Sequence, residues 1–159
     1  MSRVQLALNV PDLDEAVAFY SALFHTGPAK VRPGYANFAI GEPALKLVLI
    51  EGMGEPGSIN HLGVEVDTAA EVAIEAERLA AEGMATDVEA NATCCYAVQD
   101  KVWVHGPDGT AWEIYTVLAD DDGPGELAGD GACCSSALVD IAAPVVAGAS
   151  PGCSGPACC

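Results

Sequence analysis

An internal repeat constrains the fold more than any other feature: shifting the chain by 56 residues lays Val4-Gln5-Leu6-Ala7-Leu8-Asn9-Val10 over Asn60-His61-Leu62-Gly63-Val64-Glu65-Val66. Such self-similarity marks structural units that bury a common core. Each copy is a short alternating strand leading into a helical stretch, DLDEAVAFYSALFHTG or TAAEVAIEAERLAAEG, with Gly27 and Gly83 expected to close the helices. Extended segments follow in both halves, near 29–31, 35–40 and 45–50 in the first and near 86–89, 96–104 and 110–117 in the second. Each half therefore reads as β, α and three strands. The expected class is α+β, with paired βαβββ modules at about 3–52 and 58–118 forming one curved sheet, a cup with helices outside.

Aligning the last strands sets Leu47 opposite Glu113 at an offset of 66, so the second half carries about ten extra residues, Cys94-Cys95 among them. Residues 1–118 are read as one domain. Beyond Leu118, residues 119–159 hold six acids, no basic or aromatic residue and eleven Gly or Pro, the makeup of a flexible acidic tail that also carries cysteines.

Charge narrows the partners. With 23 acidic against 6 basic side chains and a net charge of −17, the chain repels phosphate backbones and anionic membranes, so no nucleic acid and no membrane is expected. Solubility alone accounts for that charge equally well. No apolar run approaches the ~20 residues of a membrane span, and MSRVQLALNV lacks a secretory apolar region, which points to the cytoplasm. Seven cysteines in that setting are expected as free thiols rather than a disulfide framework.

Strand alternation then selects a site. Leu6, Leu8 and Val10 share one face and Gln5, Ala7 and Asn9 the other; Leu62, Val64 and Val66 oppose His61, Gly63 and Glu65; Trp112 and Ile114 oppose Ala111, Glu113 and Tyr115. A lone Gln or Glu on a strand is usually solvated. Matched registers across the repeat instead turn Gln5, His61 and Glu113 together toward the inside of the cup as metal ligands, a three-point set that leaves adjacent coordination positions open. Fe(II) sites usually carry two His and one carboxylate, so the glutamine is a departure.

The paired repeat, the ligand-bearing first strands and the segment GPDGTAWEI at 106–114 together resemble the vicinal oxygen chelate superfamily, which includes glyoxalase I, extradiol dioxygenases, fosfomycin resistance enzymes and bleomycin-binding proteins. The resemblance covers about residues 3–118. Relatives usually supply a fourth donor from the last strand of the first half, where Leu47 stands here; a glyoxalase needs a proton-shuttling glutamate there, so a glyoxalase-type lyase ranks low.

Cys94-Cys95, in NATCCYAVQD, offers two soft sulfurs suited to trivalent arsenic, Cd(II) or Hg(II), provided a loop or bulge turns both inward. Buried inert thiols or a redox dithiol are the alternatives. With the segments QLALNV, LFHTGPAKVRPGYANFAI, NHLGVEV, CCYAVQDKVWV and GPDGTAWEIYTV, the pair is similar to the organoarsenical carbon-arsenic lyases, with cadmium-induced proteins as near relatives. That resemblance implies Fe(II) at Gln5, His61 and Glu113, dioxygen as co-substrate, and a trivalent organoarsenical substrate such as methylarsenite held by Cys94 and Cys95. The products would be arsenite and an oxidised organic fragment, an arsenic detoxification. The rival from another class is a binding protein that sequesters a thiophilic metal or arsenical without turnover.

Lys101 would lower the thiol pKa if close, although an exposed lysine on a strand is the commoner case. Tyr35, Tyr96, Tyr115 and His105 are candidate liners of the cup with no catalytic role assigned. Cys133, Cys134, Cys153, Cys158 and Cys159 form a candidate scavenging tail. One chain completing its own cup and a homodimer exchanging halves both satisfy the pairing.

Overall fold

A computed structural model describes residues 2–121; the tail cysteines and the rest of 122–159 lie outside the described residues. The elements run β1 (Arg3–Val10), α1 (Leu13–Phe24), β2 (Lys30–Arg32), β3 (Tyr35–Ile40), β4 (Leu45–Glu51), β5 (Ile59–Glu65), α2 (Ala69–Ala81), β6 (Asp87–Cys94), β7 (Ala97–His105) and β8 (Ala111–Asp120). All eight strands share one sheet in the order β2-β3-β4-β1-β5-β8-β7-β6. β1 pairs parallel with β4 and β5 parallel with β8, while β1 and β5 meet antiparallel, so the two βαβββ modules join back to back along their first strands. One chain supplies both halves of the curled sheet.

Both helices start on side-chain caps. Asp12 accepts from the Glu15 N–H, and Thr68 and Glu71 form a reciprocal capping box, satisfying N–H groups that a helix leaves unpaired. α2 closes with Gly83 at φ 80°, as expected, but α1 closes with His25 in the left-handed region at φ 49° rather than at Gly27. α1 covers the outer face of the first module, where Val10, Leu13, Phe38, Leu47 and Leu49 are buried together. α2 does the same in the second with Val72, Leu79 and Val102. Fully burying each such Leu, Phe or Val contributes about 1.5–3 kcal/mol, so the outer layer holds the sheet while its concave face is left for other work.

That concave face is not uniformly polar. Ala7, Tyr35, Val48, Ile50 and Tyr96 form an apolar wall on it, opposite Gln5, His61, Lys101 and Glu113. The registers Ala7 with Val48 and Gly63 with Glu113 make Val48, not Leu47, the counterpart of Glu113. A one-residue slip exchanges the faces of a strand: Leu47 packs under α1 and Val48 faces the cup. The isopropyl group of Val48, like the Leu47 side chain, can neither ligate nor carry a proton. β6 also extends well past the 86–89 segment read from the sequence, with a register shift between Glu89 and Ala92 where Asn91 takes φ 52°. Among the described residues no helix is long and apolar enough to cross a membrane.

Candidate functional site

Three strands place the polar cluster. Gln5 on β1 pairs with Gly63 on β5, and Gly63 pairs with Glu113 on β8, so the three residues form one row across the sheet. The middle position has no side chain, and the flanking two lean together over it until Gln5 Nε2 lies 2.6 Å from Glu113 Oε1. His61 precedes Gly63 by two residues on the same face, and its Nε2 stands 2.9 Å from Gln5 Nε2 and 3.3 Å from Glu113 Oε1. All three side chains are buried.

These separations fit a shared cation. Adjacent donors bonded at ~2.1 Å to one ion sit about 3.0 Å apart; the three facing atoms here span 2.6–3.3 Å, and a half-turn of the Gln5 amide exchanges its oxygen, the ligating atom, for Nε2. Among the described residues no three or more His, Cys, Asp and Glu side chains are grouped to hold a metal; beside His61 and Glu113 the side chain at this place with a further oxygen to offer is the glutamine amide.

The tautomer of His61 is fixed from behind. Asn60 Oδ1 lies 2.7 Å from Nδ1; Asn60 Nδ2 donates to Asn9 Oδ1 at 3.0 Å, and Asn9 Nδ2 donates to Ser58 Oγ at 2.9 Å. An amide oxygen can only accept, so Nδ1 carries a proton, and Nε2 is the nitrogen that faces Gln5 and Glu113. Trp103 stands edge-on against the imidazole, ring centres 5.5 Å apart, and closes off its other side.

Lys101 is buried, not exposed as a strand lysine ordinarily is, and its ammonium lies 3.4 Å from Glu113 Oε2. The register Lys101 with Tyr115 puts it on the concave face. Burial opposes the charge of Glu113, yet the His61 hydrogen bond, the Lys101 ammonium and the Gln5 amide outweigh it and hold the carboxyl below the usual range. For Lys101, burial opposes the charge too, but Glu113, Cys94, Glu89 and Cys95 together raise its pKa.

The thiols come to the same place by an unusual turn. Strands β6 and β7 are joined through Cys95 and Tyr96, with φ of 51° and 64°, between the paired Cys94 and Ala97. Two consecutive left-handed residues make a two-residue hairpin loop of the kind that prefers Asn-Gly. Here a cysteine and a tyrosine take that conformation, and its effect is to set Cys94 Sγ and Cys95 Sγ side by side at 3.3 Å. Adjacent side chains on a regular strand would point to opposite faces. Tyr96 is locked by a hydrogen bond to the Pro33 carbonyl at 3.0 Å and by its ring against Tyr35.

Cys94, Cys95, Gln5, His61, Lys101 and Glu113 all border one cavity of about 20 Å³, the space of a water molecule. A second cavity of about 280 Å³ opens outside it and shares Tyr35, Lys46, Cys95 and Gln99 with the first. Cys95 thus stands at the boundary between them. Of the other residues weighed from the sequence, Tyr35 and Tyr115 belong to the cup, Tyr96 is part of its frame, and His105 is exposed at the far end of β7. Gly63, Asn60 and the burial of Lys101 were missed; the signal for the last was the alternation Gln99, Lys101, Trp103 facing the register of β8.

The family model for the glyoxalase/bleomycin resistance protein/dioxygenase superfamily matches residues 3–114. The chain is 62% identical over 136 residues to the trivalent organoarsenical cleaving enzyme of Thermomonospora curvata, covering 85% of this chain and 89% of that one. It is 60% identical over 122 residues to the cadmium-induced protein CadI of Mycobacterium tuberculosis, covering 77% and 80%. Among solved structures it is similar in fold to the Mn(II)-bound glyoxalase of Novosphingobium aromaticivorans, with TM-score 0.55 and 20% identity over 76% of this chain and 42% of that one. The 2,3-dioxygenase LapB of a Pseudomonas species superposes with TM-score 0.57 and 18% identity over 79% and 44%.

Proposed function

Because this chain belongs to the glyoxalase/bleomycin resistance protein/dioxygenase superfamily, we propose that it is an Fe(II)-dependent dioxygenase that cleaves the carbon-arsenic bond of trivalent organoarsenicals and so detoxifies them. One observation carries this reading: the converging side chains of Gln5, His61 and Glu113 and two adjacent thiols border the same small cavity. The high identity to an organoarsenical cleaving enzyme supports it independently.

On this reading Gln5, His61 and Glu113 hold Fe(II), which when bound supplies a seat for dioxygen and the electron transfer that dioxygen chemistry needs. Everything else falls to the chain. Cys94 and Cys95 exchange their thiol protons for arsenic, converting the two hydroxyls of an organoarsonous acid into two waters and leaving a dithiolate. That fixes the carbon-arsenic bond beside the donor cluster and replaces a bimolecular encounter by a positioned one. The buried Lys101 ammonium lies between Glu113 and the thiol pair, and both sulfurs act on its charge. The larger cavity beyond Cys95 has room for the organic group. For methylarsonous acid the overall change balances without an outside reductant: one dioxygen and one CH3As(OH)2 give arsenous acid and formaldehyde, carbon losing the four electrons that dioxygen gains.

The test is to incubate the pure protein with Fe(II), air and methylarsenite and to speciate the arsenic. Arsenite in excess of protein, abolished under anaerobic conditions, is the expected result; turnover without dioxygen overturns the dioxygenase assignment. The likeness to a cadmium-induced protein favours sequestration of a thiophilic ion as the second reading. It predicts stoichiometric loss of free arsenical and no arsenite.

A further inference from the structure

Resting on the ligand reading above, we propose that Tyr115 is a positioning residue that serves the Gln5 amide in both of its orientations and thereby lets a glutamine act as a metal donor. The difficulty it solves is chemical. An amide coordinates through its oxygen, because the nitrogen lone pair is delocalised into the carbonyl. In the arrangement described, Gln5 turns Nε2 toward His61 Nε2 and Glu113 Oε1, while its Oε1 accepts from the Tyr115 hydroxyl. Presenting the oxygen to the centre requires a half-turn of the amide, which delivers an N–H to Tyr115 in place of the carbonyl.

A hydroxyl can answer both demands, being a donor and an acceptor at once. When it accepts from Gln5 Nε2 its own proton needs a new partner, and Glu65 Oε2 lies 3.3 Å away. Glu65 is prepared for that role: Arg3 holds it through Nε at 2.8 Å and Nη2 at 3.2 Å, and the ammonium of Lys46 is 3.6 Å off. Burial works against the Glu65 charge, but Arg3, Lys46 and Tyr115 together keep the carboxyl below its ordinary range, so it is ionised and able to accept. The backbone makes the placement obligatory. Tyr115 follows Glu113 by two residues on β8 and pairs with Glu65 on β5, and its side chain is fully buried, leaving the hydroxyl no water to turn to. Phenylalanine at 115 would leave the carbonyl oxygen unpaired in the described orientation, where Nε2 still has His61 and Glu113, but in the coordinating orientation it would take the amide nitrogen's remaining partner.

The experiment uses the full chain and Co(II) as probe, with dissociation constants from competition titration and the Co(II) visible absorption as a second readout. Tyr115→Phe is expected to weaken Co(II) about 10- to 100-fold and to shift the absorption bands, the usual scale for losing an outer partner of a ligand. In a Gln5→Glu background the same change should cost far less affinity, because a carboxylate presents oxygen in either rotation. Glu65→Ala, which keeps the tyrosine but removes the proton's destination, should weaken Co(II) in the Gln5 background as well, and serves if Tyr115→Phe does not fold. Unchanged affinity in Tyr115→Phe, or an equal loss in both backgrounds, overturns the proposal as a mere packing effect. Wild-type Co(II) binding that survives His61→Ala overturns the ligand reading itself, and this inference with it.

Discussion

Gly63→Ala isolates the row that brings Gln5 and Glu113 together. A Cβ built at position 63 would stand 3.0 Å from Glu113 Cγ, 3.1 Å from the Glu113 carbonyl oxygen and 3.5 Å from Gln5 Cβ. Ordinary van der Waals contact begins near 3.5 Å, so both of the nearer atoms must yield by several tenths of an ångström. The carbonyl belongs to a parallel ladder and gives little; the Glu113 side chain can rotate, and rotation takes its carboxylate away from His61 and Gln5. Overpacking of this kind costs about 1–3 kcal/mol of stability. The effect on the centre should be larger in proportion, with metal affinity falling about 10- to 100-fold, as for disturbed ligand support. Gly63 has no left-handed backbone to protect, so the loss is steric. Gly27→Ala, where nothing lies within 4 Å of the added carbon, is the control and should be neutral or slightly stabilising. The assay pairs Co(II) affinity with thermal unfolding in chelator. If Gly63→Ala binds Co(II) as tightly as wild type while unfolding normally, the two side chains do not depend on the glycine gap, and the account of how the donors converge is wrong.

Further outcomes follow from the same geometry. Asn60→Ala frees His61 Nδ1 from its only fixed acceptor in the described network, and should weaken Co(II) about 10- to 100-fold while leaving thermal stability in chelator within ~1 kcal/mol. Cys95→Gly relieves a left-handed cysteine and should be more stable than Cys95→Ser by about 1–2 kcal/mol in denaturant titrations, yet both should lose arsenical binding; equal stabilities would mean that the hairpin is not strained at 95. Glu65 has a folded pKa below its unfolded value, so its contribution to stability is present above the ordinary glutamate value of about 4.3 and is lost as pH falls through the lower folded value. Chemical denaturation of the chelated protein should therefore show a slope below about pH 4.3 that Glu65→Gln reduces, with no difference in slope between pH 5 and 7.

Much of this was legible in the chain because repeats and alternation are properties of sequence. The repeat placed both modules, and parity put Gln5, His61 and Glu113 on one face, where their facing polar atoms stand within 3.3 Å of one another. What escaped depended on register and on backbone conformation. Leu47 was one residue away from Val48 because the length of the second-half insertion is uncertain until β6 is seen to continue through a register shift to Cys94. For Lys101 the sequence leaves a place near the thiols open but favours exposure, because lysine is rarely buried without a partner, and its partner, Glu113, is supplied by a neighbouring strand. Two inward sulfurs demand a loop or bulge at Cys94-Cys95, but a left-handed turn at Cys95-Tyr96 is not legible in the chain, since neither residue favours φ above zero.

That turn separates the two halves of the proposed chemistry by their mechanical character. The oxygen and nitrogen donors sit in the middle of a sheet on three hydrogen-bonded strands, where positions are held by neighbours on both sides. The sulfurs sit at the tip of the β6–β7 hairpin, where two non-glycine residues are held in a sparsely populated conformation and β6 forms the sheet's edge. A hard metal needs preset geometry before substrate arrives, because its ligands must meet within tenths of an ångström. A thiol pair needs the reverse: it must reach a metalloid entering by the outer cavity, and of the two thiols only Cys95 borders both spaces. On the proposed reading Cys95 therefore makes the first arsenic-sulfur bond and the buried Cys94, its sulfur 3.3 Å from that of Cys95, makes the second, so that ring closure itself draws the carbon-arsenic bond toward Gln5, His61 and Glu113. The order is open to test with single mutants: Cys94→Ser should retain a fast first capture of phenylarsenite and lose its tight binding, whereas Cys95→Ser should slow capture from the start. Identical capture rates in the two would remove the sequence of events, though not the site.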